Sequence, residues 1–187
     1  MEPETAQILK GKNIVLGVCS SISAYKACDI VSKLVRLGAC VDVIMTKNAT
    51  NIVGEKTLET LSRNKIHTDM WEKIGQWMPE HISLADKADV FAVAPATANS
   101  IGNFACGLAP DILSSTYLAT KAPVLVAPAM NVNMYEHPAV RANIETLRGR
   151  GVRFVEPEEG PLACGVSAKG RLADTDAIVE AIAELAK

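Results

Sequence analysis

Paired cysteines are missing from this sequence. Its five cysteines, at 19, 28, 40, 106 and 164, are odd in number and include no CxxC. That argues against a disulfide framework and against a cysteine-built zinc site, so no metal is expected, and a reducing cytoplasm is the natural setting. An excess of basic charge is missing too. The 19 Lys and Arg residues are scattered and outnumbered by 21 Asp and Glu, for a net charge of -2, which leaves no footprint for nucleic acid. No apolar run reaches membrane-spanning length. The first residues, MEPETAQILK, are acidic and lack the apolar stretch of a secretory signal. Neither GxGxxG nor GxxxxGK followed by Ser or Thr occurs, so a dinucleotide fold and a nucleotide triphosphatase have no support. Linkers, repeats and low-complexity segments are also absent.

What is present is an alternation. Short continuous apolar runs at 13–19, 40–46, 89–95, 123–128 and 152–157 have the pattern of strands buried on both faces. Helical patterns separate them. Ala27, Ile30, Val31, Leu34 and Val35 recur at helical spacing before Gly38, a stop signal. Residues 138–151 open with a proline and end in glycines, and Asp174 is placed to cap a final helix. At 187 residues the chain can bury a sizeable core. The alternation predicts a three-layer αβα fold, a parallel Rossmann- or flavodoxin-like sheet, as a single domain over 1–187. Residues 64–80, with both tryptophans, fit the alternation poorly and suggest a flap or a subunit contact.

In an open parallel sheet, ligands bind beyond the carboxyl ends of the strands. Ser20, Ser21, Ile22 and Ser23 follow the first run and open a helix, as an anion site or as an ordinary cap. Thr46 follows the second. Thr97, Ala98 and Asn99 follow the third; small residues there admit a flat ligand, or simply cap the next helix. Asn131 follows the fourth, between Met130 and Met134, which serve as core filler or face a ligand. His81 precedes the third run; His67 and His137 have no readable context. The stretch GPLACGVSAKGRLAD (160–174) sets Cys164 on a turn-rich loop, where the backbone can come close to a ligand or move.

Taken together, SISAYK, IMT, HISLADKADVFAVAPATANSIGNFACGLAPDIL, PAMNVNM and LACG…GRL closely resemble the homo-oligomeric flavin-containing cysteine decarboxylases, from about residue 13 to 174. The resemblance implies FMN as cofactor, lying between subunits of a homotrimer or a dodecamer built of trimers. It implies that Ser20, Ser21, Ile22 and Thr46 hold the phosphate end, that Thr97, Ala98, Asn99 and Ala129 line the ribityl chain and ring, and that Gly17 also belongs to the cofactor site. His81 matches the catalytic histidine, Asn131 the residue holding the substrate carboxylate, and Cys164 the thiol that protonates the final intermediate; Met134 and Gly165 would touch substrate.

The implied reaction is decarboxylation of a cysteine carboxylate after transient oxidation at the carbon bearing sulfur. Cys164 favours the branch acting on 4'-phosphopantothenoylcysteine in coenzyme A biosynthesis, which must reprotonate an enethiol. In bacteria this unit is often fused to a synthetase for that substrate. The alternatives are a decarboxylase of a C-terminal peptidyl cysteine and a non-catalytic flavin-binding regulator. Val166 stands where the family loop carries Asp, and Ala168 where it carries the first glycine of GxG.

Overall fold

A computed structural model describes residues 3–71, 77–161 and 167–187. Six strands form one sheet: β1 (Asn13–Val18), β2 (Cys40–Met45), β3 (Ile66–His67), β4 (Val90–Ala96), β5 (Val124–Pro128) and β6 (Arg153–Phe154). They run parallel in the order 3-2-1-4-5-6, the Rossmann order of the doubly wound class. The three-layer expectation is met.

Each long strand sends alternate residues to opposite layers. Ile14, Leu16 and Val18 of β1 join one core, with Ile30, Val31 and Leu34 of α2 (Ala27–Arg36) and Ile178, Val179 and Ile182 of α9 (Thr175–Leu185). Leu9 of α1 (Pro3–Leu9) and Leu58 of α3 (Glu55–Ser62) pack there as well. Val15, Phe91, Val93 and Val126 point the other way. They meet Leu84 of α4 (Glu80–Lys87), Ile101 and Phe104 of α5 (Ala98–Cys106), Leu113 of α6 (Ile112–Ala119) and Leu147 of α8 (Pro138–Gly149). Strands covered on both faces have no polar side to show, which is why their runs read as continuous. Gly17 has its own reason: a Cβ there would lie 2.4 Å from Leu113 Cδ1.

The helix ends follow local chemistry. Gly38, at φ +89°, lets the chain turn out of α2, and the Ala39 N–H bonds to Leu34 O. Asp174 caps α9 by accepting from the Asp176 N–H at 2.8 Å. Lys33 of α2 reaches Asp29 and Asp176 at 2.8 Å each, tying α2 to α9.

Two expectations are corrected. Within 160–174, Gly160–Pro161 and residues 167–171 are not loop: β7 (Glu158–Pro161) and β8 (Ser167–Arg171) pair antiparallel. Residues 162–166, and with them Cys164, Gly165 and Val166, lie outside the described residues. Segment 64–80 is not wholly a flap, because Ile66–His67 adds the edge strand β3 beside β2. Its Trp71 and Trp77 are nonetheless highly exposed.

Candidate active site

The strand order reverses direction between β1 and β4, and at their carboxyl ends a cleft of about 560 Å³ opens, within the usual size of a small-molecule site. Ser20 to Ser23, Thr97, Ala98, Ala129, Met130, Asn131 and Met134 line it. Three separate stretches picked out in the sequence therefore meet in space.

β1 ends at Val18, and the chain turns sharply after Cys19, with the Ser21 N–H bonded to Cys19 O. Ser21 Oγ accepts from the Ser23 N–H at 3.3 Å. A 3-10 turn, Ile22–Lys26, then runs directly into α2. Its Ile22 and Tyr25 stay exposed at the rim. The cap reading holds, since Ser21 caps the turn, and Ser21 also lines the cleft.

Thr97 caps α5 by accepting from the Ser100 N–H at 3.4 Å. The Ala129 N–H bonds to Ala96 O, joining this loop to the next. Asn131 caps a short helix, α7 (Val132–Glu136), through Oδ1, which accepts from the Asn133 N–H at 2.9 Å.

Some expected residues lie elsewhere. Asn99 is exposed and outside the cleft lining, and Gly17 is buried inside β1. Thr46 sits beside the end of β1, its N–H bonded to Val18 O at 3.0 Å. Its Oγ1 is buried and has no hydrogen-bond partner among the described residues. His81 is half-buried in the first turn of α4 and does not line the cleft. That turn lies at the carboxyl end of β3, because Glu80 Oε2 is 3.2 Å from His67 Nδ1. His67 thus has a structural partner, and His137 caps α8 by accepting from the Ala139 N–H.

Sequence reasoning missed Tyr25, Lys26, Gly170 and Arg171, which complete the lining. Lys26 ends the SISAYK stretch and Arg171 belongs to GRL, so the signal was present in basic residues beside already chosen motifs. They bring positive charge to a rim otherwise made of hydroxyls and apolar groups. Cys19, at the floor, is not a reactive thiolate: burial pushes its thiol up to about 11, so it stays protonated at neutral pH.

The arrangement fits a flat ligand with an anionic end. Small residues let it approach the backbone, serine hydroxyls and two cations suit a phosphate, and an orphaned buried hydroxyl, Thr46, waits nearby. Among the described residues no group of acidic, histidine or cysteine side chains could hold a metal ion.

Known proteins resemble this chain in sequence and in fold. The coenzyme A biosynthesis bifunctional protein CoaBC of Bacillus subtilis (strain 168) is 49% identical over 173 residues, 92% of this chain but 43% of that protein. The chain thus spans less than half the length of such bifunctional relatives. A probable phosphopantothenoylcysteine decarboxylase of Streptococcus mutans serotype c is 40% identical over 175 residues, 92% of this chain and 98% of that protein. Among solved structures, the FMN-dependent cysteine decarboxylase SpaF superposes with a TM-score of 0.82 at 31% identity, covering 96% of this chain and 99% of that one. The Flavoprotein family profile matches residues 2–187, and this chain belongs to the Flavoprotein family.

Proposed function

We propose that this chain is a single FMN-binding domain that decarboxylates 4'-phosphopantothenoylcysteine to 4'-phosphopantetheine in coenzyme A biosynthesis. The observation that carries the reading is the cleft at the β1–β4 reversal, where serine hydroxyls, Thr97 and Asn131 converge in one chain. The name of the Streptococcus mutans relative and the FMN dependence of SpaF support it.

Bound FMN would supply the two-electron chemistry, taking a hydride from the carbon bearing sulfur and returning it at the end. Ser20, Ser21, Ile22 and Thr46 would hold the phosphate, helped by Lys26 or Arg171, and Thr97 and Ala98 would flank the rest. The Asn131 amide NH₂ would donate to the substrate carboxylate and orient it, with Met134 beside it. His81 would move a proton near the reacting carbon. Cys164 would give the proton that converts the enethiol carbon to a saturated one, with Gly165 next to it.

His81 does not reach the cleft of its own chain. A second copy placing its α4 against the exposed Ile22, Tyr25 and Met134 would complete the site, as a homotrimer or dodecamer would allow. Trp71 and Trp77 are further candidates for such contacts. The synthetase fused in the bifunctional relatives is the proposed partner activity, and the cytoplasm the proposed location; no helix among the described residues is long and apolar enough to cross a membrane.

The test is the product mass after mixing purified protein with phosphopantothenoylcysteine. Loss of carbon dioxide alone is expected. Loss of carbon dioxide with a hydrogen pair would mean that the reaction stops at the enethiol. Unchanged substrate with FMN bound would move the assignment to a C-terminal peptidyl cysteine, and a protein that binds FMN but decarboxylates neither would be a regulator.

A further inference from the structure

Lys26 and Arg171 both line the cleft, yet neither has a carboxylate partner among the described residues. They belong to different walls. Lys26 ends the 3-10 turn that Ser21 caps, so it shares an element with the serine hydroxyls. Arg171 ends β8, next to Gly170, whose carbonyl accepts from the Met130 N–H. It is thus tied to the loop that presents Asn131. In the β7–β8 ribbon Arg171 lies opposite Glu158, but a Glu158 carboxylate oxygen accepts from the Asp174 N–H at 2.9 Å. The arginine side chain runs over Gly160 instead, where a Cβ would lie 3.4 Å from Nη1 and 3.6 Å from Cδ. Arg171 is exposed where Asn131 is half-buried, which sets the guanidinium toward the outer end of a bound ligand.

We propose that Arg171 is a specificity-determining residue that holds the phosphate of the substrate, leaving Lys26 to the phosphate of FMN. This rests on the decarboxylase reading given above. That substrate carries two anions at opposite ends, a carboxylate and a phosphate, and they make opposite demands. The carboxylate loses its charge as carbon dioxide leaves. A cation gripping it would stabilise the starting state more than the transition state and slow the reaction. Neutral Asn131 orients it without that cost. The phosphate keeps its charge throughout, so a cation there strengthens binding without opposing the chemistry. A guanidinium carries a fork of donors matched to phosphate oxygens. A ligand with an uncharged outer end leaves that fork unpaired, so Arg171 sorts phosphorylated from unphosphorylated compounds.

The experiment compares kcat/KM for phosphopantothenoylcysteine and for the same compound stripped of its phosphate, with FMN affinity measured beside it by flavin fluorescence. The readout is the ratio of the two kcat/KM values. Wild-type protein should favour the phosphorylated compound, and Arg171→Gln should shrink that preference roughly tenfold, the worth of a hydrogen bond to a charged group. The loss should fall on KM rather than kcat, since the contact is the same in the bound and transition states. Arg171→Lys should recover part of the preference. Lys26→Gln should raise the FMN Kd and leave the ratio as it was. A loss that Arg171→Gln imposes equally on both compounds overturns the proposal, because it assigns Arg171 to the carboxylate or to the fold. A raised FMN Kd in Arg171→Gln with the ratio intact also overturns it, by assigning Arg171 to the cofactor. Wild-type protein that holds FMN but decarboxylates neither compound overturns the functional reading and this proposal with it; turnover with a ratio unmoved by Arg171→Gln overturns this proposal alone.

Discussion

Gly170 and Met130 are locked face to face. The Met130 N–H donates to Gly170 O at 3.0 Å, and a Cβ on Gly170 would lie 2.3 Å from Met130 O. Strand β8 is thereby pinned to the loop that presents Asn131. Gly170→Ala should force the two apart, at a cost of about 1–3 kcal/mol, and weaken FMN binding as well. Urea midpoints and flavin titration check both; an unchanged midpoint would show that this contact holds nothing.

Thr46→Val should act with opposite signs on the free and bound protein. A buried hydroxyl without a partner costs stability, so removing it should stabilise the ligand-free protein by about 1 kcal/mol. If that oxygen serves the FMN phosphate, the same change should weaken FMN binding about tenfold. Melting temperatures with and without FMN read the two effects separately. A gain in both states would remove Thr46 from the site.

Glu156 joins α7, α8 and β8. It accepts from Tyr135 Oη at 2.8 Å and from Lys169 Nζ at 3.0 Å, and it pairs with Arg148. Burial opposes its charge, but the hydrogen bonds from Lys169 and Tyr135 outweigh burial and hold the carboxyl below its usual range. A carboxyl lowered by folding stabilises above its ordinary value of about 4.3 and loses that contribution as pH falls through the folded value. Glu156→Gln should flatten this acid limb. Its side chain is 45% exposed, so the effect should stay below about 1 kcal/mol.

Tyr135 gives the matching alkaline limb. Burial first, and Glu156 second, push its phenol up to about 12. A group raised by folding contributes fully below its ordinary value of about 10 and loses the contribution as pH climbs through the folded one. Tyr135→Phe should remove this limb while leaving the acid one to Glu156. Urea midpoints across pH check both variants, and identical alkaline slopes in wild type and Tyr135→Phe would sink the assignment.

Activity should separate by residue. His81→Asn and Asn131→Ala should keep FMN bound yet lower kcat/KM on the order of a hundredfold or more. Cys164→Ser should release the enethiol, two hydrogens lighter than the product of carbon dioxide loss alone. Mixing the His81→Asn and Asn131→Ala proteins should restore part of the activity if the site is shared between copies. No recovery on mixing would place His81 outside the site.

The parts legible in the sequence were those that a local pattern decides. β1, β2, β4 and β5 are buried on both faces, so each shows as an apolar run, and Gly38 and Asp174 carry their own turn and cap chemistry. The cleft residues Ser20, Ser21, Thr97 and Asn131 were legible because each directly follows such a run. Distance in the chain hid the rest. β3 is two residues long and becomes a strand only by meeting β2. The β7–β8 pairing looked like a loop because Gly160, Pro161 and Gly170 are turn residues in isolation. His67 looked idle until Glu80 arrived from another element, and Arg171 joins the cleft only because β8 lies against Met130.

The cleft has a consequence for the order of events during synthesis. Its walls follow β1, β4 and β5 and include the end of β8, and its central strand, β1, leaves the ribosome long before the neighbour it needs, β4. No fragment that ends before β8 can form the whole cleft, because Gly170 and Arg171 are missing from it. A ligand held by all of these walls binds the finished sheet and so draws it out of the unfinished pool by mass action. Yellow colour in a growing cell extract would count completed molecules rather than translated ones.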